Sequence, residues 1–274
     1  GDESQREEAR EREDLRIAAL GSGSDYTPFL QHLGIASAHL SFSGEGPGGS
    51  YHTLYDTYEH YTTWRDPGLV YSEVLAQVAG RATLRLANAR VLPFEFEGFA
   101  DNIEMYITEL EELAADQRTE TERINALIED GDFDVALDPT KPLGPPKAES
   151  PVPFFNFAPL SNSLERLWNA AASYEDALDS GEVRADDLAE LNALLYSSER
   201  LLTREAGLLG RPWYKHHIYA PGFYTGYGVK TIPGVREPIE QRSYETVDPQ
   251  IELAAAVIDD MAERIETAAG YFVP

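Results

Sequence analysis

The sequence predicts a mixed fold: a partial α/β segment over residues 20–95, followed by a mainly α-helical bundle over residues 96–274. Three observations predict it. Ile35 to Phe42 is a short apolar segment between Gly34 and Gly44, as a buried strand would be. Asp66-Pro67 opens a helix that is apolar around most of its circumference. Beyond Leu92-Pro93, apolar residues recur at helical spacing in segments separated by a proline-rich connector.

In chain order, the opening run from Gly1 to Asp14 alternates charges without an apolar stripe, so residues 1–19 read as a charged leader, either a solvated helix or disordered. Gly21-Ser-Gly-Ser-Asp25 is a turn. Its Ser24 is placed to cap a short helix over Tyr26–Leu33, with Gly34 as a left-handed C-cap. The strand over 35–42 then leads into a glycine-rich loop that carries Tyr51 and His52, and loops after strand ends are where α/β proteins put their sites.

The helix from Asp66-Pro67 to about Ala89 has one polar stripe, Glu73, Gln77, Arg81 and Arg85. The rest of its surface, including Val70, Val74, Val78 and Leu86, needs cover, so it is expected to be a buried support. Further helices are expected at 98–128, with a break near Asp116, at 161–179 and at 185–206, where Leu188, Leu191, Leu195 and Leu202 share one face. Residues 137–153 form a loop. A last helix runs from Asp248-Pro249 to about Phe272, with Ile251, Ile258, Met261, Ile265 and Phe272 at helical spacing. The stretch 211–228 is too rich in Gly and Pro for regular structure and too aromatic for a mere linker.

Composition narrows the partners. The chain has 274 residues, 42% of them hydrophobic and 11% aromatic, enough to bury a core. Its 48 acidic and 22 basic residues give a net charge of −26, which makes binding to nucleic acid or anionic lipid electrostatically unfavourable. With no cysteine there is no disulfide framework and no thiolate, so any metal must be held by His, Asp or Glu. No apolar stretch approaches the roughly 20 residues needed to cross a bilayer.

By residue type alone, His52 is more readily an imidazole with a satisfied hydrogen bond than a ligand, and its neighbours Asp56 and Glu59 do not complete a coordination shell. Tyr51 is either a packing aromatic or a phenol placed to donate to a developing oxyanion. His216-His217 resembles a metal dyad on paper, but consecutive residues point apart and the flanking Trp213, Tyr214 and Tyr219 favour a packed structural loop. Gly21-Ser-Gly-Ser lacks the lysine of a phosphate loop.

Several separated motifs carry a resemblance: Gly21-Ser-Gly-Ser-Asp25, Gln31-His-Leu-Gly-Ile-Ala-Ser37, Tyr51-His-Thr-Leu-Tyr-Asp-Thr-Tyr-Glu59, Asp66-Pro67, Leu86-Ala-Asn88, Val91-Leu-Pro-Phe94, Arg211-Pro212 with Tyr214 and His216, Ile218-Tyr-Ala-Pro221 and Pro233-Gly234. From Leu20 onward the chain resembles the C-terminal part of the glutamate carboxypeptidase II and transferrin receptor family, zinc peptidases with a transferrin-receptor-like dimerisation domain. The resemblance implies an aminopeptidase-like α/β domain with two zinc ions, followed by a helical dimerisation domain. It implies that His52 matches the last zinc ligand and that Tyr51 matches the catalytic tyrosine bonded to the tetrahedral intermediate. Ser24 falls at a substrate-contacting position and Tyr227 at a tyrosine lining the pocket for the substrate's C-terminal residue.

The sequence also departs from the family pattern. His39 and Ser41 stand where the carboxypeptidase has an arginine patch, and Gly226 replaces a pocket lysine, which puts specificity for C-terminal glutamate in doubt. The remaining zinc ligands and the general-base glutamate of the family are expected upstream of this chain. The expectation is therefore a C-terminal piece of an exported zinc exopeptidase acting on peptides, inactive alone and holding no zinc tightly, and forming a homodimer. The alternative is a non-catalytic interaction module of the transferrin receptor type.

Overall fold

The computed structural model describes residues 10, 17–42, 49–136 and 144–273, so most of the charged leader lies outside the described residues. The chain divides into two compact units, Ser37–Phe94 and the remainder, Gly1–Ala36 with Glu95–Pro274. Residues 20–36, expected with the α/β segment, belong to the helical unit. There Gln31 accepts a hydrogen bond from the Lys215 N–H, and Gly34 packs against the Arg200 backbone.

The smaller unit is built on α1, Val70–Asn88. Asp66 caps this helix across a tight intervening turn, Pro67–Leu69: its carboxylate accepts from the backbone N–H groups of Tyr71 and Ser72 and from the Ser72 and Tyr61 hydroxyls. Burial raises the Asp66 carboxyl, but these hydrogen bonds outweigh it and hold the group below its usual range. Two expectations are corrected here. Ile35–Phe42 forms no strand, because a strand exists only as one side of a ladder and the described ladders pair other segments. No residue of α1 is buried; Val78 is 47% and Leu84 63% exposed. An apolar circumference predicts a need for cover, but the cover has to come from other elements.

The first long helix of the helical unit is α2, Glu97–Glu129, unbroken at Asp116, which faces solvent between good helix formers. A residue distant in sequence caps it: Glu175 Oε1 accepts from the N–H groups of Phe96 and Glu97 at 3.1 and 2.9 Å. α3 is Ala158–Ser180 and α4 is Leu188–Tyr196. The single helix expected to Ala206 ends early. The hydroxyls of Ser197 and Ser198 bond back to the Ala193 and Leu194 carbonyls, and a 3-10 turn, Ser198–Leu202, follows. α5 is Pro233–Glu240 and α6 is Val247–Ala269.

Among the described residues, four short strands complete the unit. β1, Glu182–Val183, pairs antiparallel with β4, Phe272–Val273, so Phe272 leaves the final helix and lies in a ribbon. β2, Tyr219–Pro221, pairs antiparallel with β3, Val229–Thr231, so one strand of a short ribbon lies within the stretch 211–228 expected to be irregular and the other just beyond it.

α3 and α6 form the most extensive helix pairing. Ala170 and Ala171 on α3 and Ala254, Ala255 and Ala262 on α6 are buried, and such small residues let backbones approach closely. Leu160, Leu167, Ile251, Ile258 and Ile265 fill the rest, each contributing about 1.5–3 kcal/mol when withdrawn from water. At the rim, Arg166 forks onto Glu266 at 3.0 and 2.9 Å, an exposed pair worth under about 1 kcal/mol.

Tyr174 on α3 is fully buried against Phe96 and Phe272, and its hydroxyl has no partner among the described residues. Burial pushes that phenol up to about 12. Tyr174→Phe therefore leaves stability unchanged or raises it by about 1 kcal/mol, because it removes a desolvated hydroxyl and keeps the ring. Urea unfolding checks this; a loss above about 1 kcal/mol would show that the hydroxyl is satisfied.

Candidate functional site

In the smaller unit, Tyr51 and His52 lie at the head of a cross-linked turn. Thr53 bonds the Ser50 carbonyl through both its N–H, at 3.0 Å, and its hydroxyl, at 2.8 Å. The Arg65 guanidinium donates to the Ser50 hydroxyl at 2.9 Å. His52 has left-handed backbone, φ 58°, and its N–H is held by Asp56 Oδ2 at 3.1 Å. The two rings stack with centroids 3.7 Å apart, Tyr51 is 63% exposed, and neither His52 ring nitrogen has a hydrogen-bond partner among the described residues.

In the helical unit, the turn carrying Ser24 docks on the loop carrying Tyr227. The Ser22 N–H donates to the Tyr227 carbonyl at 3.1 Å. Two glycines permit the approach: a Cβ on Gly21 would lie 2.1 Å from that carbonyl oxygen, and one on Gly23, at φ 102°, would lie 2.8 Å from the Tyr227 ring. The expected cap is corrected: Thr27 is the N-cap of the turn Pro28–His32, the Ser24 carbonyl accepts from the Thr27 N–H and hydroxyl, and Ser24 itself is exposed. Buried Gln31 donates from Nε2 to the Leu20 and Gly21 carbonyls at 2.9 and 3.2 Å, which fixes the turn from behind.

Two carboxylates, buried Glu237 and largely buried Glu199, organise the aromatic stretch. Glu199 accepts from His216 Nε2 at 2.9 Å and from the Tyr219 hydroxyl at 2.7 Å. His216 Nδ1 accepts from the N–H groups of Ile218 and Tyr219, so this imidazole is a neutral structural bridge. Burial raises the Glu199 carboxyl, but the bonds from His216 and Tyr219 prevail and hold it low; burial, then the charge of Glu199, pushes the Tyr219 phenol well up. Glu237 pairs with Arg211 at 2.6 Å and accepts from the Phe223 N–H at 2.6 Å, while Arg211 also donates to the Pro221 carbonyl.

These supporting residues carry no motif of their own. Glu237 leaves one signal in the sequence: it is a charge two residues from each of Val235 and Ile239, both buried on the same short helix. The His216-His217 pair is a packed structural element, as the flanking aromatics predicted, with both imidazoles buried.

The residues fit a metal ion only as a single donor. His52 offers free ring nitrogens on an exposed side chain, but the described residues contain no group of three or more His, Cys, Asp or Glu able to hold an ion.

Comparison with known proteins bears on this arrangement. Residues 155–266 match the transferrin receptor-like dimerisation domain. The chain is 32% identical over 240 residues to a probable glutamate carboxypeptidase, LAMP1, of Arabidopsis thaliana, covering 84% of this chain and 29% of that protein. It is 29% identical over 245 residues to a probable glutamate carboxypeptidase of Arthroderma benhamiae, covering 88% of this chain and 29% of that protein. The chain belongs to the transferrin receptor-like/glutamate carboxypeptidase family. A further relative is the aminopeptidase NAALADL1 of Rattus norvegicus, 21% identical over 267 residues, 91% of this chain and 31% of that protein. The chain thus spans about three-tenths of the length of these family members. The matched domain runs from the approach to α3 into the last turns of α6 and supports dimer formation. Among the described residues no helix is long and apolar enough to cross a membrane.

In this family member, His217 is the buried titratable group with a pH consequence. Its Nε2 has no partner among the described residues, and burial, aided by Arg204, drives its pKa from 6.5 down to about 4. Between those values the unfolded chain binds a proton that the folded chain refuses, so stability falls as pH drops from about 6.5 toward 4, by about 3 kcal/mol in all. Urea unfolding at pH 7 and pH 4.5 measures it. The difference between the two pH values shrinks by about 2–3 kcal/mol in His217→Gln, which is polar but does not titrate in this range.

Proposed function

We propose that this chain works as the C-terminal part of a larger zinc-dependent exopeptidase, supplying the dimerisation domain, part of the substrate pocket and one metal donor. The observation that carries the reading is the Tyr51-His52 pair, held on a strained turn with both rings exposed and the imidazole nitrogens free. His52 would supply a neutral imidazole, the form that binds zinc. When bound, the metal supplies a Lewis acid and lowers the pKa of a coordinated water. The Tyr51 phenol would donate a hydrogen bond to the oxyanion that develops at the attacked carbonyl. Ser24 and Tyr227, joined by the docked turn, would contact the C-terminal residue of the peptide, as the names of the carboxypeptidase relatives suggest.

The same loops argue for the class of that residue. The neighbouring cations are already neutralised, Arg211 by Glu237 and Lys230 by Glu240, while Phe223, Tyr224 and Tyr227 are 45%, 80% and 62% exposed. The pocket therefore favours an aromatic or apolar C-terminal residue over glutamate.

A second reading, a non-catalytic interaction module of the transferrin receptor type, draws on the incomplete donor set among the described residues. Zinc content and peptide hydrolysis of the protein at the full length of its relatives separate the two. The peptidase reading expects bound zinc that is lost in His52→Ala, a fall of at least about a hundredfold in kcat for Tyr51→Phe, and kcat/KM at least about tenfold higher for peptides ending in Phe or Leu than for those ending in Glu. A protein that neither binds zinc nor cleaves any of these peptides supports the module reading.

For assembly, a net charge of −26 opposes the approach of two copies. Sedimentation is expected to show a homodimer whose association tightens as salt rises from about 0.05 to 0.5 M, since screening removes the repulsion. A monomer at both salt concentrations would defeat the dimer.

A further inference from the structure

Four described non-glycine residues have left-handed backbone: His52, Leu69, Ile232 and Arg242. Such a conformation costs roughly 1 kcal/mol or more and persists only where the surroundings impose it. Ile232 is fully buried, Arg242 bonds Thr121 and Tyr244, and Leu69 closes the turn beneath the Asp66 cap. His52 has none of these supports. Its side chain is exposed, and its ring touches Tyr51 by stacking alone.

What holds His52 is its own turn. Asp56 Oδ2 accepts its N–H at 3.1 Å, and Arg65, from the following helical turn, donates to the hydroxyl oxygen of buried Ser50 at 2.9 Å, anchoring the other end. Thr53 ties the two ends through the Ser50 carbonyl, and its hydroxyl also accepts the Tyr55 N–H at 3.1 Å. A charged acceptor makes the stronger kind of hydrogen bond, and here it offsets backbone strain at the residue read as a metal donor.

We propose that Asp56 and Arg65 are positioning residues for His52, a clamp that holds its backbone left-handed and so sets the direction in which the imidazole is presented. The clamp itself stands on the turn geometry; its purpose rests on the reading of His52 as a metal donor. Asp56 acts through the backbone of His52, and Arg65 through Ser50.

Two measurements test it. In the 274-residue chain labelled on its six histidines with nitrogen-15, the three-bond coupling between amide and α protons at His52 reports φ directly. Asp56→Ala and Arg65→Ala are expected to change that coupling, while Asp56→Asn, which keeps an acceptor oxygen, restores it; unchanged helical content and unchanged signals from the other five histidines show that the fold is intact. An unaltered coupling in Asp56→Ala overturns the clamp. In the protein at the full length of its relatives, competition with a chelator is expected to show zinc affinity reduced roughly tenfold by Asp56→Ala and returned by Asp56→Asn, the usual effect of removing a group that orients a ligand. Equal affinities for wild type and Asp56→Ala overturn the positioning role. Zinc content untouched by His52→Ala instead overturns the metal-donor reading, leaving the coupling to judge the clamp.

Discussion

An aromatic segment packed against a helical interior must find partners for its buried polar groups, and in residues 199–237 two largely buried carboxylates serve several of them. Glu199 joins His216 and Tyr219, and His216 in turn accepts two backbone N–H groups. Glu237 joins Arg211 to the Phe223 backbone, and Arg211 reaches the Pro221 carbonyl. Removing either acid would strand buried donors, at a cost of several kcal/mol. The geometry of the Tyr227 loop, and of the Ser24 turn docked on it, depends on these pairs.

The turn bearing Tyr51 and His52 is built differently. Its bonds are short-range, between residues 50 and 65, and its aromatic rings face solvent. Precision here comes from local hydrogen bonds acting on a strained backbone, and such sites fit poorly into the rules that govern cores. Each unit thus relies on its own device, largely buried ion pairs around the Tyr227 loop and a surface clamp around His52.

Much of the helical unit was legible in the sequence because helical periodicity is a local signal. The apolar positions of α6, Ile251, Ile258, Met261 and Ile265, recur at helical spacing and are buried. Boundaries were less legible. α4 ended ten residues short of the expected limit because two serine hydroxyls compete for its last carbonyls, and Phe272 left α6 because β1 offered a strand to pair with. Of the site, Tyr51, His52, Ser24 and Tyr227 were named through resemblance. Gln31 is legible only as part of the motif Gln31–Ser37, and the roles of Asp56, Arg65, Glu199 and Glu237 leave no such trace, since a hydrogen bond from residue 216 to residue 199 has no spacing to detect.

By itself, the sequence determined the acidic charge balance, the dependence of any metal on His and carboxylates, and the helical segments of the larger unit with their apolar positions. These follow from residue chemistry and from contacts within a few positions. Tertiary structure alone decided that Ile35–Phe42 forms no strand, that α1 stands exposed, that Glu175 caps a helix almost eighty residues away, and that Glu199 is the partner His216 bridges to. Each depends on what lies opposite in space, and burial, pairing and ladder formation belong to both partners, never to one segment read alone.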